Sequence, residues 1–232
     1  MNKNTVFYTD NYAYGRISEE VLANVNAGAY AILGECWYFE DVLQREKAKG
    51  ARWIYSNSNQ YSPQQTSFDE MVVDEHPGTN CAMPAGWAYI DLGVCPYPKR
   101  FWGDRECGMA NYDTLAPNIL KAADITHWEE GKPFGEYFEA GEIKPGDVLL
   151  AKGHTFIYMG DELFMAAGHD GKWHADETVR TDDPRKAVFD SWVCDMRTNY
   201  DWRCNVYWRL RFRDEYVPAF YRGKDGKLKE NK

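Results

Sequence analysis

The chain has no cysteine pair at CxxC spacing, no apolar run of membrane-spanning length, no basic surplus and no internal repeat. Each absence removes a class of protein. Without CxxC pairs the six cysteines, at positions 36, 81, 95, 107, 194 and 204, do not build a zinc ribbon. With a net charge of −9 there is no basic stripe to neutralise phosphates, so nucleic acid is excluded as the main partner. No window has the twenty or so apolar residues that a spanning helix needs. The opening residues, Met1 to Asp10, lack the apolar centre of a secretory signal. The thiols are therefore expected to be mostly reduced, although Cys95/Cys107 and Cys194/Cys204 are spaced to pair. No repeat means no solenoid.

Aromatic residues are abundant instead, 16% of the 232 positions, with nine Trp and sixteen Tyr. Such rings fill cores and also line grooves that bind peptides or sugars. Helix signals come first. Ser18-Glu19-Glu20 starts one helix, with Val21, Leu22 and Val25 turned inward. A second is expected from about Tyr30 to Lys49, ending at Gly50 and burying Phe39, Val42 and Leu43. Residues 1–50 read as a helical lead-in packed on a core domain over 51–221, with a polar, basic tail over 222–232.

Strand signals follow. Arg52 to Tyr55 is strand-like, Thr66 or Ser67 caps a short helix, and 95–115 reads as a long aromatic loop beside the next helix. Pro117–Ala123 and Phe134–Ala140 read as short helices around a strand at Ile125–Trp128. Lys144-Pro145-Gly146-Asp147 is a turn leading into a buried strand, Val148 to Leu150. Gly153 turns the chain into His154–Met159, and Gly160-Asp161-Glu162 closes a hairpin returning over Leu163–Ala167. Residues 168–186 read as a polar loop. Val206, Trp208, Leu210 and Phe212 alternate with Tyr207, Arg209 and Arg211, the period of a half-buried strand. The class is α+β, with a central antiparallel sheet.

The chemistry centres on Thr79-Asn80-Cys81-Ala82-Met83-Pro84-Ala85-Gly86-Trp87. Proline is tolerated only in a helix's first turn, so Pro84 places Cys81 at or beside the cap. Met83, Trp87, Ile90 and Val94 then form an apolar stripe, Gly86 leaves a notch and Gly93 suits the C-terminus. A thiol at a helix start meets free amides and the positive end of the dipole, which favour thiolate and can hold an oxyanion. A buried core cysteine is the plainer reading. His154, first in its strand and just after a turn, sits where a general base for a thiol belongs. It also reads as a hairpin cap. His76, His127 and His174 read as turn or surface residues and form no ligand cluster.

The order of an aromatic strand, Asn-Cys-Ala at a helix start, Ile-Lys-Pro-Gly-Asp-Val, then His-Thr-Phe-Ile-Tyr-Met-Gly-Asp resembles the NlpC/P60 family of cysteine peptidases. The match runs over about 51–167, closest to wall-lytic types with a Trp-x-Tyr-Ser-Asn segment upstream. The resemblance implies a papain-like core that cleaves amide bonds in peptidoglycan stem peptides with no cofactor. Carried over, Cys81 is the nucleophile, His154 the base, and Tyr55 a donor near the thiol, with Tyr61 a weaker candidate. The family's third polar residue falls near Ala166, which has no side chain to orient an imidazole. His169 is the proposed orienter, with Asp170 beside it. A Cys-His dyad held by a backbone carbonyl or water is the alternative. The implied protein is made in the cytoplasm and acts on the cell wall, as a phage-encoded or virion-associated lysin. Ala166 and the lack of a wall-binding repeat also admit a weakened enzyme serving as a structural or wall-binding part of a phage particle or secretion machine. An acyltransferase or amidase on another substrate is a third reading.

Overall fold

The computed structural model describes residues 19–50, 54–55, 78–79, 81–95, 117–166, 173–174, 188–189, 191–195 and 200–218. The helix expected at Thr66 or Ser67, the 95–115 loop beyond Cys95, nearly all of the 168–186 loop and the basic tail lie outside them.

The described residues form five α-helices and two sheets. The helices are α1 (Glu19–Asn24), α2 (Ala27–Ala48), α3 (Met83–Asp91), α4 (Pro117–Ala122) and α5 (Phe134–Glu139). The main sheet is built from β3 (Ala123–Pro133), β4 (Val148–Ala151), β5 (His154–Gly160), β6 (Leu163–Met165), β9 (Val193–Asp195) and β10 (Asn205–Phe212). Its order is β3-β10-β4-β5-β6-β9, antiparallel throughout. A second sheet of two-residue strands joins β1 (Ile54–Tyr55), β2 (Gly78–Thr79), β7 (Trp173–His174) and β8 (Val188–Phe189), in the order β2-β1-β8-β7. The α+β class is therefore observed.

Several boundaries differ from expectation for physical reasons. α2 begins earlier, at Ala27, because the Asn26 side chain accepts from the Ala29 amide and caps it. Its first half, AGAYAILGECW, is small enough to be buried on every side, so the inward stripe Phe39, Val42 and Leu43 is only part of what it buries. At its N-terminus the helix lies against the 144–147 turn. A Cβ on Gly146, whose φ is +87°, would stand 2.7 Å from the Ala29 Cα. β3 runs on past Trp128 to Pro133 although Glu129, Glu130 and Lys132 are polar. It is an edge strand, and its ladder with β10 continues to Asn205↔Pro133.

Two turn signals hold. Gly93 takes φ +77°, its amide bonds the Ile90 carbonyl at 2.8 Å and the Val94 amide bonds the Tyr89 carbonyl at 2.9 Å, a Schellman end to α3. Asp161 and Glu162 both have positive φ, 47° and 61°, as a two-residue type I′ hairpin turn requires.

The abundant aromatics go inside. One face of the main sheet packs against α2 and α3, with Phe39, Trp87 and Trp192 meeting edge to face at 5.8 and 5.6 Å. The other face packs Phe134, Phe156 and Phe164 beneath α5. Among the described residues only Tyr216 is an exposed large hydrophobic.

One ion pair pins the head of β4 to β10. Asp147 is fully buried, and its carboxylate accepts from Arg211 Nε and Nη2, both at 2.7 Å, and from the Lys144 amide at 2.7 Å. Burial pushes the Asp147 carboxyl upward against the pull of the guanidinium, which the carboxylate in turn holds more firmly charged. Nearby, the Tyr89 hydroxyl is buried with no hydrogen-bond partner among the described residues, and burial raises its pKa.

Two stability changes of opposite sign are expected in urea denaturation. Arg211→Met strands a buried carboxylate and costs about 3 kcal/mol. Tyr89→Phe removes an unsatisfied hydroxyl and gains about 1 kcal/mol.

Candidate active site

Cys81 stands one residue ahead of Ala82, the N-cap of α3. The cap makes no side-chain hydrogen bond, and Pro84 occupies the first turn as its chemistry demands. The first helical bond runs from the Gly86 amide to the Ala82 carbonyl at 3.1 Å. Pro84 has no N–H, so it removes one donor from this turn. The helix is not a one-sided stripe: every residue from Met83 to Ile90 is buried.

His154 opens β5 opposite Ala151, directly after the Lys152-Gly153 turn. α3 packs against β5. The sulfur and the imidazole thus belong to elements in contact. Strand alternation divides them, however. Ile157 and Met159 face α2 and α3, whereas Phe156 and Tyr158 join the aromatic cluster on the opposite face. The His154 ring stacks on Phe156, centroids 5.4 Å apart and 28° between planes. It therefore lies on the side of the sheet away from α3, at the strand's end. Both Cys81 and His154 are 4% exposed.

Tyr55 lies in β1, whose parallel pairing sets it opposite Thr79, two residues ahead of Cys81. The backbone thus brings the Tyr55 position alongside the segment that leads into the thiol. His169, Asp170, Tyr61 and His76 lie outside the described residues. His174, expected in a turn, is in β7, paired with Val188. His127 is an exposed residue of β3 stacked on Trp208 at 5.0 Å. Cys36, Cys81, Cys95 and Cys204 are all thiols outside any disulfide, so neither spaced pairing is formed. Burial raises the Cys36 pKa well above the usual thiol range, with the neighbouring Glu35 adding to it.

Ala166 is buried on the Phe156 side of the sheet, and its amide donates to the Trp192 carbonyl at 2.9 Å. A methyl group here completes an aromatic core. It offers an imidazole nothing.

The sequence reading missed Glu40. This carboxylate is 2% exposed on α2, and it accepts from the Ser191 hydroxyl (2.8 Å), the Trp192 amide (2.9 Å) and Gln44 (2.8 Å). It thereby clamps Trp192, whose ring packs on Trp87, one turn into the helix that Cys81 leads. The available signal was an acid, in company with Glu35 and Asp41, inside a mostly apolar helical stretch, Tyr30 to Leu43.

The chain matches no protein-family model, no curated protein and no solved structure. Among the described residues no group of three or more His, Cys, Asp or Glu side chains is placed to hold a metal, and no helix is long and apolar enough to cross a membrane.

Glu40→Ala is expected to lower the unfolding free energy by about 2 kcal/mol, since it leaves the buried Trp192 amide unsatisfied while Ser191 keeps Val193 as a partner. Chemical denaturation followed by Trp fluorescence measures this.

Proposed function

We propose that the chain is a cysteine hydrolase that cleaves amide bonds in peptidoglycan stem peptides, on a papain-like core of the NlpC/P60 kind. The observation that supports it most is the packing of the helix headed by Cys81 against the strand that begins with His154. The register of Tyr55 beside Thr79 adds to it.

In this reading the His154 ring leaves its stack on Phe156 and turns round the end of β5 to take the proton from the Cys81 sulfur, and the thiolate attacks the scissile carbonyl carbon. The carbonyl oxygen becomes an oxyanion beside the backbone amides at the start of α3. Collapse breaks the C–N bond, and His154 returns its proton to the leaving amine. Water, deprotonated by the same ring, attacks the thioester and frees the carboxylate and the thiol. Tyr55 polarises the carbonyl, and His169 holds the imidazole in orientation. The chemistry needs no cofactor. The substrate is the wall peptide, met after release from the producing cell or within a phage or secretion assembly.

A second reading has observations of its own. The methyl of Ala166 stands where an orienting side chain belongs, and both members of the pair are 4% exposed. These favour a weakened site in a wall-binding or structural component of such an assembly.

Defined muropeptides and product mass spectrometry separate the two. The wild-type chain is expected to split a stem-peptide amide, and Cys81→Ala to give no product while keeping its circular dichroism and melting temperature. Undiminished turnover by the variant would remove Cys81 from the mechanism. Wall binding by the wild type without any product would favour the second reading.

A further inference from the structure

A cleft of about 780 Å³ opens at the other end of β5 from His154. The strand between them is seven residues long, about 20 Å. The volume is that of a small-molecule site. Part of its wall is apolar: Val21 of α1, Ile143, and the rings of Phe138 and Tyr158, which meet edge to face at 5.5 Å.

Two cations stand on this wall. Arg211 is held by the bidentate grip of Asp147, and its Nη2 also reaches the Glu142 carbonyl at 3.4 Å. All its described bonds are made by Nε and Nη2. Nη1 makes none among the described residues. The side chain keeps 21% of its surface open. A guanidinium locked on one edge and uncommitted on the other is a preorganised anion donor. Lys144 is exposed, and its ammonium has no ion pair among the described residues. Against these stand the buried carboxylate of Asp147 and Asp161 at the Tyr158 side of the cleft. Two cations facing two carboxylates sum to zero, so an anion is drawn here by directed N–H donors and not by net charge. A dianionic phosphate meets more repulsion than a monoanion here. The Tyr158 hydroxyl, pushed up to about 12 by burial and Asp161, stays neutral.

We propose that this cleft binds a small monocarboxylic acid with an aromatic or branched apolar body, its carboxylate on Arg211 Nη1 and Lys144 Nζ and its body between Val21, Phe138 and Tyr158. The site is independent of the hydrolytic reading. It stands or falls without Cys81.

The test is calorimetric titration of the full chain with hydrocinnamate and with its uncharged amide, hydrocinnamide. The acid is expected to bind about tenfold more tightly than the amide. Lys144→Gln, at an exposed position, is expected to weaken the acid about fivefold and leave the amide unchanged. Val21→Trp fills the cleft and abolishes both, and Cys81→Ala alters neither. Acid and amide binding alike, no binding of the acid, or undiminished binding by a folded Val21→Trp chain would each overturn the proposal.

Discussion

The buried carboxylate of Asp147 sets the frame for the rest of the molecule. It is gripped by Arg211 on β10 and by the Lys144 amide of its own turn. The backbone on either side of it pairs with Tyr158, Gly146 donating to the Tyr158 carbonyl and the Tyr158 amide to the Asp147 carbonyl. One side chain therefore fixes where β4 starts, how it registers with β5, and how both sit against β10. A slip of one residue would send His154 and Phe156 to the opposite face. It also holds the Arg211 guanidinium that lines the cleft. The Pro-Gly-Asp motif is thus an architectural device, and its presence speaks for the fold before it speaks for chemistry.

Much of this frame was legible. Pro84 and Gly93 marked the two ends of α3, Pro84 because its fixed φ and missing N–H suit the first turn and Gly93 because it tolerates the positive φ that closes the last. Asp161-Glu162 and the alternation through Phe212 gave the hairpin and the long strand. What escaped were features that depend on tertiary partners. β3 extends through polar residues because β10 supplies the hydrogen bonds, which composition does not report. α2 is buried all round because Ala, Gly and Ala at its start admit close neighbours, whereas its sequence looks like an ordinary one-sided helix. Glu40 reads as a surface acid until Ser191 and Trp192, 151 and 152 residues later, arrive to satisfy it.

The candidate site was legible in a narrower sense. Sequence located Cys81 at a helix start and His154 at a strand start, and the structure has both there, on packed elements. Sequence did not convey the burial or the face. An imidazole stacked on Phe156 and a thiol that is 4% exposed are both shielded from water. Shielding strengthens an oxyanion contact and disfavours a charged thiolate, so any activity rests on how strongly the imidazole and the helix-start amides offset desolvation.

The most direct measurement is the pH dependence of Cys81 alkylation by iodoacetamide, read by peptide mass spectrometry in the wild type and in His154→Gln. A sulfur paired with an imidazole is expected to react well below the ordinary thiol pKa of about 8.5, in two steps as each partner titrates. In His154→Gln the lower step is expected to vanish. A single step at the same pH in both proteins would contradict the pairing on which the account rests.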